Sequence, residues 1–186
     1  MLRNEADVRR IIEEDTWMMD ILRTAARLKL PDGWICAGFV RTKIWDTLHG
    51  YRDRTPIADV DVIYFDPTDQ SEAIEKAYEA ELYALRPDVP RSVKNEARMH
   101  EVNDIAPYTS AEDAIARFPE TATAIGVKLH DDDQLQLTAP HGVEDLLHLR
   151  RRPTPAFQAG TDLYSVYVRR GIEKNWQAKW PHVKNS

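Results

Sequence analysis

Two aspartates one residue apart open the most β-prone run of the chain, Asp59-Val60-Asp61-Val62-Ile63-Tyr64-Phe65-Asp66. On a strand, side chains two apart share a face, so Asp59 and Asp61 stand about 6.6 Å apart along the backbone and their oxygens can converge. Carboxylates that close repel one another unless a cation lies between them, and hard oxygen ligands suit magnesium or manganese. Such a pair fits phosphoryl chemistry, where metal ions steady both the attacking and the leaving oxygens. The plainer reading of the same residues is a strand cap at Asp59 and a surface ion pair at Asp61. Upstream, Trp34-Ile35-Cys36-Ala37-Gly38-Phe39-Val40-Arg41 reads as strand, glycine turn and helix start. Free backbone N–H groups at the positive end of a helix suit a triphosphate, and Arg41 and Lys43 add cationic reach.

The elements that would position these groups follow from hydrophobic spacing. Val8 to Leu28 keep helical periodicity except at Asp15, predicting one amphipathic helix over residues 1–30 that Pro31-Asp32-Gly33 stops. Trp34 to Ala37 predicts a buried strand, and Phe39 to Leu48 a helix ending near His49-Gly50. Val60 to Phe65 is the clearest strand. Asp69 with Glu72 three residues on resembles a capping box for a helix running to Pro87. Ser92 to Met99 predicts a further strand, Ser110 with Asp113 caps a short helix, and Ala124–Leu129 with Gln134–Thr138 forms a hairpin around Asp131-Asp132-Asp133. Val143 to Leu149 and Asp162 to Trp180 close the chain as helices. Helices and strands without a strict βαβ rhythm predict an α+β fold with a mixed sheet.

Composition excludes several classes. With 186 residues, 42 % hydrophobic and 30 % charged, and no long apolar run, disorder and membrane spans are excluded. The single cysteine, Cys36, lies in an apolar run and reads as a packed thiol in a reducing, cytoplasmic setting. Net charge is −6, unevenly spread: residues 1–149 carry 17 basic and 29 acidic side chains, residues 150–186 carry 8 and 2. That basic end suits either a phosphate-bearing partner or a solvated face balancing an acidic body. The acidic body argues against a long nucleic-acid groove. No Gly-x-x-x-x-Gly-Lys-Ser/Thr loop, Gly-x-Gly-x-x-Gly turn, His-Glu-x-x-His or Gly-x-Ser-x-Gly occurs.

As a set, the residues resemble the nucleotidyltransferase superfamily typified by DNA polymerase beta. Within it they resemble a bacterial nucleotidyltransferase family formerly known only as a domain of unknown function. The resemblance rests on Ala37-Gly38-Phe39-Val40-Arg41 with Trp45-Asp46, Asp59-Val60-Asp61, Val93-Lys94-Asn95-Glu96-Ala97-Arg98-Met99-His100 and Pro119-Glu120-Thr121-Ala122-Thr123-Ala124-Ile125-Gly126-Val127. Further matches are Ala139-Pro140-His141-Gly142 with Glu144-Asp145-Leu146, and Lys174-x-Trp176 with Trp180-Pro181. It implies a polymerase beta-like mixed sheet flanked by helices. The chain itself, with Pro153 to Gly160 as its best linker candidate, reads as one domain over 1–186: the N-terminal helix, a catalytic core over 31–149 and a basic helical arm over 150–186.

It also implies magnesium- or manganese-dependent transfer of a nucleoside monophosphate from a nucleoside triphosphate to an acceptor hydroxyl, releasing pyrophosphate. Asp59 and Asp61 would be the metal ligands and Gly38 the triphosphate turn, with Phe39 where Ser or a second Gly is usual. Glu96 is the candidate third carboxylate. Lys94 and Arg98 would either bind phosphates or pair with Glu96 along the strand. Two other readings keep the same residues: a nucleotide-binding module without chemistry, and a metal-dependent phosphoesterase. His100 and His141 read as core or capping residues, and Trp45, Trp176 and Trp180 as packing anchors. Pro119 to Thr123 would border the cleft, yet its residue types alone assign it no chemistry.

Overall fold

The structure, a computed structural model, describes residues 2–185. Its N-terminal helical stretch is two helices, α1 (Glu5–Glu13) and α2 (Thr16–Ala26), where the periodicity predicted one. The break is at Asp15, the residue that interrupts the apolar spacing. Its carboxylate accepts a hydrogen bond from the Met18 N–H at 3.1 Å and so caps α2. A side chain that satisfies a free helix-start N–H stabilises a new helix there instead of a continuous one.

Strand β1 (Trp34–Cys36) leads into α3 (Gly38–Leu48), then β2 (Val60–Tyr64), α4 (Glu72–Leu85) and β3 (Arg91–Asn95). Ser71 is the N-cap of α4 but makes no side-chain cap, and Asp69 instead accepts the Ser71 N–H in a local turn, so the expected capping box is absent. The predicted strand over 92–99 divides: β3 ends at Asn95, and α5 (Glu96–Met99) turns away. Asn95 causes the change, because its side-chain oxygen accepts the Ala97 N–H and its amide donates to the backbone carbonyls of Asp66 and Asp69. Helix α6 (Ala111–Ala116) is capped by Ser110 as predicted, and β4 (Gly126–Leu129) pairs with β5 (Leu135–Thr138) as the expected hairpin. After α7 (Glu144–Leu147) and β6 (Arg150–Arg151), the closing helix is broken into α8 (Tyr164–Lys174) and α9 (Trp176–Lys179) by left-handed Asn175. Strand β7 (Lys184–Asn185) pairs with β6.

The main sheet has order β3-β2-β1-β4-β5, parallel only between β2 and β3, so the fold is α+β with a mixed sheet flanked by helices. Alternation along β2 divides its surroundings: Val60, Val62 and Tyr64 enter the large core with Ile35, Val127 and α2, while Ile63 joins Trp34, Cys36 and Ile115. Asp61, between Val60 and Val62, shares the side of Ile63 and lies opposite Cys36 in the register. The C-terminal segment packs onto α3. Trp45 meets Trp176 and Trp180 edge-on at 5.4 and 5.3 Å, and buried Asp46 accepts the Trp180 indole N–H at 2.8 Å. The three tryptophans are packing anchors, as their spacing predicted.

Candidate active site

Strand β2 begins at Val60, so Asp59 sits at its entry and Asp61 one residue inside. Neither carboxylate has a hydrogen-bond or ion-pair partner among the described residues. Burial, then the charge of Asp59, push the Asp61 carboxyl up to about 6, against the opposing pull of Lys174, Arg170 and Arg41. Glu96, the first residue of α5, is buried, and its carboxyl is pushed up to about 7 by burial first and then by the charges of Glu75 and Asp61. Among the described residues no three His, Cys, Asp or Glu side chains stand together as a ready cation cage. The donor set nevertheless suits magnesium, which is commonly held by one or two carboxylates with substrate phosphates completing its shell.

The turn into α3 is strained at Ala37 rather than at the glycine. Ala37 has φ 54° and ψ −114°, a conformation that costs a non-glycine residue about 1–3 kcal/mol. Its N–H donates to the Ile125 carbonyl at 3.0 Å, tying the turn to the segment entering β4. A Cβ at Gly38 would meet only the Arg41 guanidinium, at 3.7 Å, so the space over this helix start is open. Phe39 presents only its backbone there, since its ring is in the core against Trp17.

The Arg41 guanidinium lies over the rings of Trp176, Trp180 and Trp45 at 4.5, 5.1 and 5.4 Å, and its only side-chain hydrogen bond among the described residues goes to Thr42 Oγ1. Its Nε is buried without a partner, and desolvation lowers its pKa to about 10, which leaves it charged at neutral pH. No carboxylate of the described residues forms an ion pair with it. Lys43 is placed differently: it pairs with Asp15 at 2.8 Å, beside Arg54 at 2.6 Å, on the α2 side of α3.

Neither Lys94 nor Arg98 pairs with Glu96 among the described residues. Both turn to fully buried Glu75 of α4, Lys94 at 3.5 Å and Arg98 through contacts of 3.0 Å to both oxygens, while Arg98 also reaches Glu72 at 3.3 Å. Glu75 additionally accepts the Asn95 N–H at 2.9 Å. These cations balance a structural carboxylate, and the strand ladder expected around Glu96 fails because the backbone becomes helical there. His141 Nε2 donates to the Ala116 carbonyl at 2.7 Å, a core role as expected.

The structure brings Asp59, Asp61, Gly38 and Arg41 to one end of the sheet; Glu96 follows Asn95, the partner of Tyr64 three residues further along β2, and feels the charge of Asp61. Arg170 and Lys174 of α8, which the sequence showed only as a basic tail, are the additional cations felt by Asp61.

A nucleotidyltransferase family model matches residues 23–185. A comparison with curated proteins finds no match. Among solved structures, an NMR structure described as revealing a CCA-adding enzyme head domain is 34 % identical, with TM-score 0.89 over 100 % of this chain and 97 % of that one. The Thermotoga maritima CCA-adding enzyme complexed with tRNA shares the fold at 14 % identity and TM-score 0.59, matching 99 % of this chain but 42 % of its own length. A tRNA-processing enzyme with CTP is similar at 17 % identity and TM-score 0.53, over 89 % of this chain and 43 % of its own. The chain thus spans under half the length of those two enzymes. An Asp-x-Asp at the entry of a central strand, a glycine turn into α3 and a family match over nearly the whole length agree: the chain belongs to the nucleotidyltransferase family and is a transferase.

Proposed function

We propose that this transferase moves a nucleoside monophosphate from a nucleoside triphosphate to an acceptor hydroxyl, with magnesium or manganese, in the cytoplasm. The observation that carries the reading is the pair Asp59 and Asp61, without a hydrogen-bond or ion-pair partner among the described residues, beside an open helix start and a charged Arg41 that forms no ion pair among them. Asp59 and Asp61 would hold the cation, which when bound neutralises phosphate charge and makes the acceptor hydroxyl easier to deprotonate.

The backbone N–H groups of Gly38 and Phe39 would receive triphosphate oxygens, and Arg41 would stabilise charge accumulating on them. The acceptor oxygen forms a bond to the α-phosphorus, the bond from that phosphorus to the β-bridging oxygen breaks, and pyrophosphate departs with the electron pair. Glu96, whose raised pKa lets it hold a proton near neutrality, is placed by this reading as the group that takes the acceptor proton, directly or through water. Lys43, Lys94 and Arg98 have no part in it, because each is spent on a structural carboxylate.

Structural neighbours solved with CTP and with tRNA make CTP and an RNA 3′ end the first donor and acceptor to try. Incubation with α-labelled triphosphate and magnesium should label the acceptor in the wild type, and Asp61→Asn should lower labelling about a thousandfold or more. Normal labelling by that variant removes Asp61 from the reaction, and release of free phosphate without an adduct would make the protein a phosphoesterase.

A further inference from the structure

The segment Pro119 to Thr123 precedes the hairpin and has no role in the reaction as drawn so far, yet Glu120 is fully buried with a net surplus of positive charge around it. Two arginines from distant parts of the chain converge on it. Arg151 of β6 approaches Oε1 at 3.5 Å, and Arg170 of α8 forks across both oxygens, Nε at 3.2 Å and Nη2 at 3.4 Å. Thr123 donates to the same carboxylate at 3.1 Å. One carboxylate therefore faces two guanidinium groups, and Nη1 of Arg170 has no partner among the described residues.

The surrounding packing is built for this arrangement. Arg151 lies 3.8 Å over the Tyr167 ring and also donates to the Tyr167 carbonyl. A Cβ on Gly171 would come within 2.6 Å of its Nη1, so only glycine lets α8 pass this close. A glycine inside a helix costs about 1 kcal/mol against alanine, a cost repaid here by the guanidinium it admits. The cluster also adjoins the active site. The Glu120 carbonyl accepts the Ala124 N–H, the Ile125 carbonyl accepts the Ala37 N–H, and Trp176 lies under both Arg41 and, at 5.9 Å, Arg151.

The geometry points to Arg170 as a substrate-binding residue that grips the β- and γ-phosphates opposite Asp59 and Asp61, with Glu120 as the positioning residue that aims it. The forked contact fixes the guanidinium plane while leaving Nη1 free, which is how arginine is set to meet phosphate oxygens. Lys174, one turn further along α8 and without a carboxylate partner among the described residues, extends the same positive wall.

This inference rests on the proposed transfer reaction, and the test separates the two. Calorimetry of the full chain with magnesium pyrophosphate, CTP and CMP compares Arg170→Ala with Arg169→Ala, whose side chain is exposed and whose ion-pair partner among the described residues is Glu173. Arg170→Ala should weaken pyrophosphate and CTP about tenfold or more, the weight of a charge-assisted hydrogen bond, while leaving CMP nearly unchanged. Arg169→Ala should leave all three unchanged. Glu120→Gln should move pyrophosphate and CTP in the same direction by a smaller factor. Should Arg170→Ala lose its thermal transition, Arg170→Gln carries the same expectation, because its amide can still reach Glu120 without the charge. Equal affinities for pyrophosphate in wild type and the folded Arg170 variant, or an equal loss for CMP, would overturn the inference. Absence of acceptor labelling by the wild type, with pyrophosphate still bound, would instead overturn the transfer reaction itself.

Discussion

Two basic clusters flank the sheet, and they differ in how their charge is balanced. At the end of β3, Lys94 and Arg98 meet Glu75 and Glu72, so two cations face two carboxylates and none is left over. Around α8, Arg151 and Arg170 share one Glu120, while Arg41 and Lys174 have no carboxylate partner among the described residues. The first cluster is closed and holds the fold together. The second is open, and its surplus charge lies beside the unpartnered Asp59 and Asp61. Counting basic residues does not locate an anion site; counting the carboxylates that they meet does.

That difference can be broken from either side. Arg98→Ala strips buried Glu75 of its two-pronged partner and leaves Lys94 at 3.5 Å, so it should cost about 3 kcal/mol or more by chemical denaturation. Arg170→Ala should cost less stability than Arg98→Ala, because Arg151 stays with Glu120, and its loss should appear in pyrophosphate affinity instead. Equal destabilisation by the two variants would erase the distinction between closed and open clusters.

Asp61 sharpens the contrast on the acidic side. Its carboxyl is raised from 3.8 to about 6, so the folded protein holds that proton more tightly than the unfolded chain, and stability is lost as pH rises through that window. Asp61→Asn removes the penalty and should therefore raise the melting temperature above the window, by at most about 3 kcal/mol in free energy, with no gain below it. A variant more stable yet inactive would be the expected signature of a site that trades stability for function. Ala37→Gly makes the smallest change: relieving the positive φ at the α3 turn should add about 1 kcal/mol in thermal denaturation, and a loss would mean that the turn is not strained.

Much of the site is legible along the chain because it is local. The Asp-x-Asp spacing places two carboxylates at one strand entry by the period of the strand alone, and Gly38 marks the turn because it follows an apolar run and precedes helical spacing. Asp15 is legible as an interruption, though not as a cap, since capping depends on where the next helix begins. The strand over 92–99 is misread because Lys94, Glu96 and Arg98 alternate like a strand, while the long-range hydrogen bonds of Asn95 to Asp66 and Asp69 redirect the backbone. The basic tail is visible as a charge count, yet its arginines are indistinguishable there from a solvated helix face.

Periodicity and composition by themselves determine the α+β class, the hairpin, the buried cysteine and the acidic pair, because those properties depend on neighbours within a few residues. Only the tertiary structure decides which cation meets which carboxylate. Glu75 with Arg98 and Glu120 with Arg170 are pairs separated by tens of residues, and Coulomb energy depends on distance in space, which no spacing in the chain encodes.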